Sequence, residues 1–231
     1  MKKSNYYIAI VIVAILVLIG SYYFLSMSKP SEIATVSQEG YTSINTENLE
    51  QSIPTTQSLT LTDAEKEDLL YMREEEKLAR DVYIKLYEKW NVPIFSNISN
   101  SEQTHTDSVK FLIDRYGLND PSVNEVGKFT NNDLQALYDS LIEKGSNSLE
   151  DALVVGATVE EVDIIDLKEA ISNTDKADIK TVYENLMKGS RNHLRSFVSN
   201  MKSRGYSYSP QYLNQEEFNE IVNSQIETGK N

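Results

Sequence analysis

Apolar residues recur at intervals of three or four positions through four long segments between Leu61 and Ser203. This spacing places the apolar side chains of each segment on one face of an α-helix. No run of alternating apolar and polar residues, bounded by turn residues, requires a sheet. The sequence therefore predicts an all-α fold, with a four-helix bundle over residues 61–205.

Capping residues and glycines indicate where these helices begin and end. Thr62 and Glu65 form a capping box at the start of the first helix, helix A. Gly117, Gly145 and Gly205 each follow the end of a helical pattern, as glycines at helix C-termini do. The expected helices span residues 62–90 (A), 96 or 99 to 116 (B), 131–144 (a short helix in the crossover), 148–173 (C), 175–203 (D) and 214–224, the last within a C-terminal extension of residues 206–231.

The N-terminal segment predicts a membrane anchor. Residues 6–25 are twenty mostly apolar positions without a charge, enough for a helix to cross a hydrocarbon core of about 30 Å. Lys2 and Lys3 favour a cytoplasmic N-terminus, so the protein is expected to be a single-pass membrane protein with its helical domain outside the cytoplasm. A cleavable signal peptide is the alternative, but the apolar stretch is long for one and ends without an Ala-x-Ala-like site.

The anchor would occupy residues 1–28, and residues 29–60 would connect it to the bundle. This connecting segment is rich in Ser, Thr, Gln and Glu and has no sustained apolar period. Such a composition is typical of a flexible, solvated tether.

Composition excludes several kinds of function. The net charge of −13 argues against nucleic acid as a partner, because binding a polyanion requires clustered Lys and Arg. Since the chain contains no cysteine, it can form neither disulfides, thiolate zinc sites nor iron–sulfur clusters. Any metal ion must be held by oxygen and nitrogen ligands.

One of the two histidines belongs to a candidate metal motif. Glu102 and His105 are three residues apart in helix B, so both side chains lie on one face about one turn apart. Glu-x-x-His pairs of this kind hold iron or manganese inside carboxylate-rich four-helix bundles. The function then depends on whether other helices supply further ligands.

Each of the other three helices offers candidates. Glu76 in helix A is the glutamate of the Glu74–Glu76 run that we expect to face inward, with Glu74 and Glu75 solvated. Glu160 and Asp163 interrupt an apolar run in helix C, where Glu161 competes with Glu160 for the inward position. Helix D supplies His193, but the residue three positions earlier is Ser190 rather than glutamate, so a second Glu-x-x-His is absent.

Four segments together resemble the DUF2202 family, an uncharacterised branch of the ferritin-like superfamily. They are Glu76-x-x-x-Arg80-x-x-Tyr83, which is also similar to the first helix of rubrerythrin-like proteins, Ser101-Glu-Gln-Thr-His105, the segment of residues 155–164 and the segment of residues 189–197. The resemblance implies a ferritin-like bundle whose metal ligands are Glu76, Glu102 and His105, one or both of Glu160 and Asp163, and His193 from the last helix.

The resemblance also implies the chemistry of such a site. At a site for two ions of iron, or manganese, Fe(II) would be oxidised by oxygen or peroxide, as in a ferroxidase or a peroxidase-like enzyme. Either Glu102 or Glu160 would bridge the two metals, and Tyr83 would lie beside them as a hydrogen-bond partner or a radical neighbour. Without cysteines there is no rubredoxin-like module, so any electron donor would be external, and the chain is compatible with a homodimer. The alternative is a metal-free helical bundle that serves as an extracytoplasmic binding or interaction module.

Overall fold

The computed structural model describes residues 32–53 and 58–228. This part of the chain is mainly helical, which confirms the predicted all-α class, and it adds one small antiparallel hairpin. Its elements are β1 (Ala34–Val36), β2 (Thr42–Ile44), α1 (Thr46–Ser52), α2 (Asp63–Trp90), α3 (Pro93–Arg115), α4 (Asn132–Gly145), α5 (Leu149–Ser172), α6 (Ala177–Ser203) and α7 (Gln215–Asn223).

The four long helices, α2, α3, α5 and α6, pack side by side as a bundle. The start of α2 lies beside the end of α5, where Thr174 Oγ1 donates to Glu65 Oε1 at 2.6 Å. The end of α3 lies beside the start of α6, where Arg115 pairs with Asp178 at 2.8 Å. Because α3 and α5 therefore run in the same direction, the chain must cross the length of the bundle between them, and α4 lies in this crossover, as expected.

Local chemistry sets the helix ends. The capping box at α2 forms as predicted, with Thr62 Oγ1 accepting from the Glu65 N–H at 3.2 Å and Glu65 Oε2 accepting from the Thr62 N–H at 2.8 Å. The prediction that helix B begins at residue 96 or 99 is wrong, because α3 already begins at Pro93. Proline fits the first turn of a helix, where its missing N–H has no intrahelical partner to lose.

The crossover is attached to α2 by buried charged groups. Lys77, 1% exposed, donates to Asp81 Oδ2 at 2.5 Å and to two main-chain carbonyls of the crossover at 3.0 Å. Glu74 was expected in solvent, but it is buried and accepts from the N–H groups of Thr130 and Asn131 at 2.6 and 3.0 Å. A carboxylate in this position satisfies the main-chain donors where α4 begins.

The prediction of a solvated tether is wrong for residues 32–53. These residues form the β1–β2 hairpin and α1, and they bury Ala34, Ile44 and Leu49 against the bundle. Their apolar side chains are too widely spaced to produce a helical or strand pattern, and burial follows from contact with α3 and α6.

The predicted membrane anchor, residues 1–28, lies outside the described residues. Among the helices of residues 32–53 and 58–228, none combines the length and the apolar content of a membrane span.

Candidate metal centre

Two groups of three buried ligand side chains meet at the centre of the bundle. The first group is Glu76, Glu102 and His105, and the second is Glu102, Glu160 and His193. Within each group the ligand atoms lie within 4.8 Å of one another, and Glu102 belongs to both. We call these groups the His105 triad and the His193 triad. All five residues are at most 2% exposed.

Glu102 connects the triads through its two oxygens. Its Oε2 lies 2.8 Å from Nδ1 of His105, and its Oε1 lies 2.8 Å from Nδ1 of His193. Glu76 Oε2 approaches Nδ1 of His105 at 3.4 Å, and Glu160 Oε2 approaches Nδ1 of His193 at 3.6 Å. The two imidazoles stack at 18°, with ring centroids 5.5 Å apart. Each histidine thus faces one carboxylate of its own and one that both share.

Several of these buried ligand atoms have no hydrogen-bond partner outside the site. They are both oxygens of Glu76, Oε1 of Glu102 and Nδ1 of both histidines. Buried polar atoms are nearly always paired, and an unpaired buried carboxylate is especially costly. Oxygen and nitrogen atoms that converge from four helices in the interior of a bundle have the arrangement of ligands around cations, and the donor set suits iron or manganese.

The main chain of β2 covers the outer side of both imidazoles. Nε2 of His105 lies 3.1 Å from the carbonyl oxygen of Thr42, and the Thr42 N–H donates to Nε2 of His193 at 3.2 Å. Thr42 is fully buried. The role of this residue had no signal in the sequence, because its contacts are made by the main chain rather than by the side chain.

The electrostatics of the site depend on Glu102. Burial favours its neutral form, but the two flanking imidazoles outweigh this effect and hold the pKa of Glu102 well below its usual range. Burial likewise disfavours a charged His193, yet Glu102 and Glu160 raise its pKa to about 9. Burial raises the pKa of Glu76 to about 7 although His105 opposes the shift. Without a cation, protons therefore occupy much of the site at neutral pH.

Asp163, the sixth predicted ligand, lies beside the triads but belongs to neither. It accepts a hydrogen bond from Ser190, and its Oδ1 has no partner. Burial and the charges of Glu76 and Glu102 raise its pKa well above the usual value. Ser190, which stands where a second Glu-x-x-His would have its glutamate, thus binds a carboxylate that α5 supplies.

The hydrogen-bond partners of Glu160 and Glu161 show which of the two side chains faces the site. Glu160 faces the site, and Tyr83, the expected hydrogen-bond partner, donates to its Oε1 at 2.6 Å. Glu161 points away and accepts from Tyr208 Oη at 2.6 Å and from the Tyr212 and Leu213 N–H groups at 2.7 and 2.8 Å. Glu161 therefore anchors the loop after α6.

Glu75 was predicted to be solvated, and this prediction is wrong. The side chain is 4% exposed, neither of its oxygens has a hydrogen-bond partner, and it lines a cavity of about 30 Å³ together with Asp163. Burial and the charge of Asp163 raise its pKa well above the usual value. A signal was present in the sequence, since Leu78, Ala79 and Val82 follow Glu75 at helical spacing.

Comparison with known proteins identifies the family. Residues 65–225 match the domain described as "Uncharacterized protein domain (DUF2202)". The chain belongs to the DUF2202 family. A relative named "Uncharacterized protein MJ0754", from Methanocaldococcus jannaschii, is 54% identical over 172 residues, which are 74% of this chain and 93% of the relative.

The fold of this DUF2202 protein also matches a solved structure. The "Crystal structure of hypothetical protein MJ0754 from Methanococcus jannaschii DSM 2661" superposes with a TM-score of 0.73 at 52% identity, covering 75% of this chain and all of that one. The family and the fold are thereby shown, and the buried carboxylate and histidine side chains form groups that could hold a metal ion.

Proposed function

We propose that this DUF2202 protein binds two divalent cations, iron or manganese, between the four helices of its bundle and oxidises Fe(II) with oxygen or peroxide. The observation that carries the proposal is the position of Glu102, whose two oxygens each lie 2.8 Å from Nδ1 of a different histidine. A carboxylate placed in this way can bridge two cations.

The fold supports a ferritin-like relationship. In that superfamily, ligands project inward from all four helices, and one long crossover connects two antiparallel helix pairs. Here α2–α3 and α5–α6 are the pairs, residues 116–148 form the crossover, and each of the four helices contributes at least one triad residue. The arrangement of the triads agrees with this pattern except at Ser190.

Charge balance also supports two cations. Once deprotonated, Glu76, Glu102, Glu160 and Asp163 would together carry four negative charges, which two divalent cations would neutralise. Glu76 with His105 would hold one cation, Glu160 with His193 the other, and Glu102 both. Iron bound there would supply electrons one at a time to the oxidant. Tyr83 would orient Glu160 through their 2.6 Å hydrogen bond.

The cellular setting is part of the proposal. The apolar segment 6–25 would anchor the protein in the membrane with the bundle outside the cytoplasm, and a separate donor would return electrons to the site.

Metal content tests the proposal directly. The full chain, purified in detergent and loaded anaerobically with Fe(II), is expected to retain about two irons per chain after gel filtration, and these should oxidise on addition of oxygen or peroxide. Glu102→Gln removes the shared ligand charge while keeping the size of the side chain, so it should reduce retention to one iron or none.

Asp107→Asn is the matched control, because Asp107 is an exposed carboxylate on the same helix. It is expected to retain two irons. If the wild-type chain retains no Fe(II) and no Mn(II), the metal proposal is wrong and the metal-free interaction module becomes the better description. If the iron binds but oxidises no faster than free Fe(II), only the oxidase function is lost.

A further inference from the structure

The main chain of Thr42 presents a different hydrogen-bonding group to each of the two histidines of the site. Its carbonyl faces Nε2 of His105 at 3.1 Å, and its N–H faces Nε2 of His193 at 3.2 Å. A carbonyl only accepts a hydrogen bond and a main-chain N–H only donates one. When the two rings are neutral, Nε2 of His105 must therefore carry a hydrogen, whereas Nε2 of His193 must present a lone pair.

This difference determines which ring can bind a cation through Nδ1. A neutral imidazole has one N–H, and a hydrogen bond at one nitrogen selects the tautomer that the other nitrogen must have. With Nε2 protonated, His105 turns the lone pair of Nδ1 towards Glu76 and Glu102. With Nε2 accepting, His193 carries its hydrogen on Nδ1, where it can donate to Glu102 or Glu160 but cannot bind a cation.

Packing reinforces the assignment of His105. Gly189 of α6 lies so close to this ring that a Cβ there would be 2.5 Å from Cε1 and 2.7 Å from Nε2. This close approach of α6 limits movement of the ring towards that helix. Among the glycines that the structure describes, none approaches His193 as closely.

We propose that the β1–β2 hairpin makes the two triads unequal: the His105 triad binds the first cation, and the His193 triad binds a second only after His193 gives up its hydrogen bond from Thr42. This inference rests on the proposed cation site and adds the order in which it fills. Thr42 is a positioning residue, since it acts through the two imidazoles and does not touch a cation itself.

Nuclear magnetic resonance tests the tautomers in the unmodified protein. The full chain contains only two histidines, so ¹⁵N-histidine labelling with a histidine-free affinity tag gives signals from His105 and His193 alone. One equivalent of Zn²⁺, a cation without unpaired electrons, serves as the probe. A bound cation also neutralises Glu102, whose charge otherwise favours doubly protonated rings.

The expected spectrum shows Nδ1 of His105 bound to zinc and His193 unbound, with its hydrogen on Nδ1. Equal occupancy of both histidines, or zinc on His193 first, would overturn the inference while leaving the cation site itself intact. Absence of zinc from both histidines would instead contradict the proposed function, and the inference with it.

A variant pair tests the role of the Thr42 main chain. Thr42 lies opposite Val36 in the hairpin, and because its N–H and C=O point to the imidazoles, this is a pair without ladder hydrogen bonds. Thr42→Pro therefore removes the N–H to His193 and leaves the carbonyl for His105. Thr42→Val keeps both main-chain groups and removes only the two hydrogen bonds of the hydroxyl, which accepts from Asn192 at 2.9 Å and donates to the Gly40 carbonyl at 3.3 Å.

Zn²⁺ titration against a competing chelator then measures two binding steps. Changes among groups that orient metal ligands shift affinity by about 10- to 100-fold, so the wild-type steps should differ by about that factor. Thr42→Pro is expected to raise the affinity for the second Zn²⁺ by about tenfold. Thr42→Val is expected to leave the ratio of the two affinities unchanged. An equal ratio of the two Zn²⁺ binding constants in the wild type, Thr42→Pro and Thr42→Val would refute the role of the Thr42 N–H. Should circular dichroism show that Thr42→Pro is unfolded, the wild-type spectrum decides.

Discussion

Substituting Gly189 with alanine should weaken the metal site without removing any ligand. The new Cβ would lie 2.5 Å from Cε1 of His105, whereas ordinary contact begins at 3.4 Å, so the ring or the helix must move by roughly 0.9 Å. The ring has little freedom, because the Thr42 carbonyl lies 3.1 Å from Nε2 and Glu102 lies 2.8 Å from Nδ1. The displacement would therefore reach the ligand atom.

The expected loss of cation affinity follows from the small displacement of ligand atoms that metal sites tolerate. Metal–ligand distances are held within about 0.2 Å, and functional constellations within about 0.5 Å. A shift of roughly 0.9 Å exceeds both limits, so we expect the affinity of the His105 triad for Zn²⁺ or Fe(II) to fall by at least 10- to 100-fold. Overpacking costs about 1–3 kcal/mol of unfolding free energy, and the better helix propensity of alanine returns about 1 kcal/mol.

The assay compares chelator-competition titration with chemical denaturation of the cation-free protein. Gly145→Ala is the control, since its Cβ would contact Leu86 Cδ2 at 2.7 Å, also in the protein interior but away from the triads. It should lower stability by a similar amount and leave cation affinity unchanged. Wild-type affinity in Gly189→Ala would refute the claim that this glycine is required by the position of His105.

Three further outcomes are expected. The raised pKa values of Glu76 (about 7) and His193 (about 9) keep protons in the free site, and a bound cation must displace them, so the affinity for the cation should rise between pH 7 and pH 9. Calorimetry in buffers of different ionisation enthalpy should detect this proton release. Its absence would contradict the site electrostatics. Glu161→Gln replaces an acceptor of main-chain N–H groups with a weaker one, so denaturation should show a loss of about 1–3 kcal/mol, with cation affinity unchanged. Lys77→Met leaves Asp81 with Arg80 as its partner but removes the donor of two crossover carbonyls, so it should cost about 1–3 kcal/mol, and no measurable loss would show that Lys77 is not buried in solution.

Local rules were sufficient for the helices and for part of the site. The capping box at Thr62 and the glycine at 117 act within a single turn, so the sequence contains the whole interaction. The same is true of Glu102 and His105, whose spacing of three residues places them on one face of any helix that contains both. Helical periodicity thus predicted both the fold class and the core of the metal motif.

Tertiary structure decided the questions that depend on distant residues. Glu160 and Glu161 are neighbours, and only the loop that closes over Glu161 shows which of the two turns to the site. Burial of Glu75 and the hairpin at Thr42 likewise depend on helices that lie far away in the sequence. Spacing along a helix determines which residues share a face, but the elements that pack against that face set its environment. These elements determine the desolvation of the ligand side chains, their hydrogen-bond partners and the tautomers of the two imidazoles, and so the chemistry of the site.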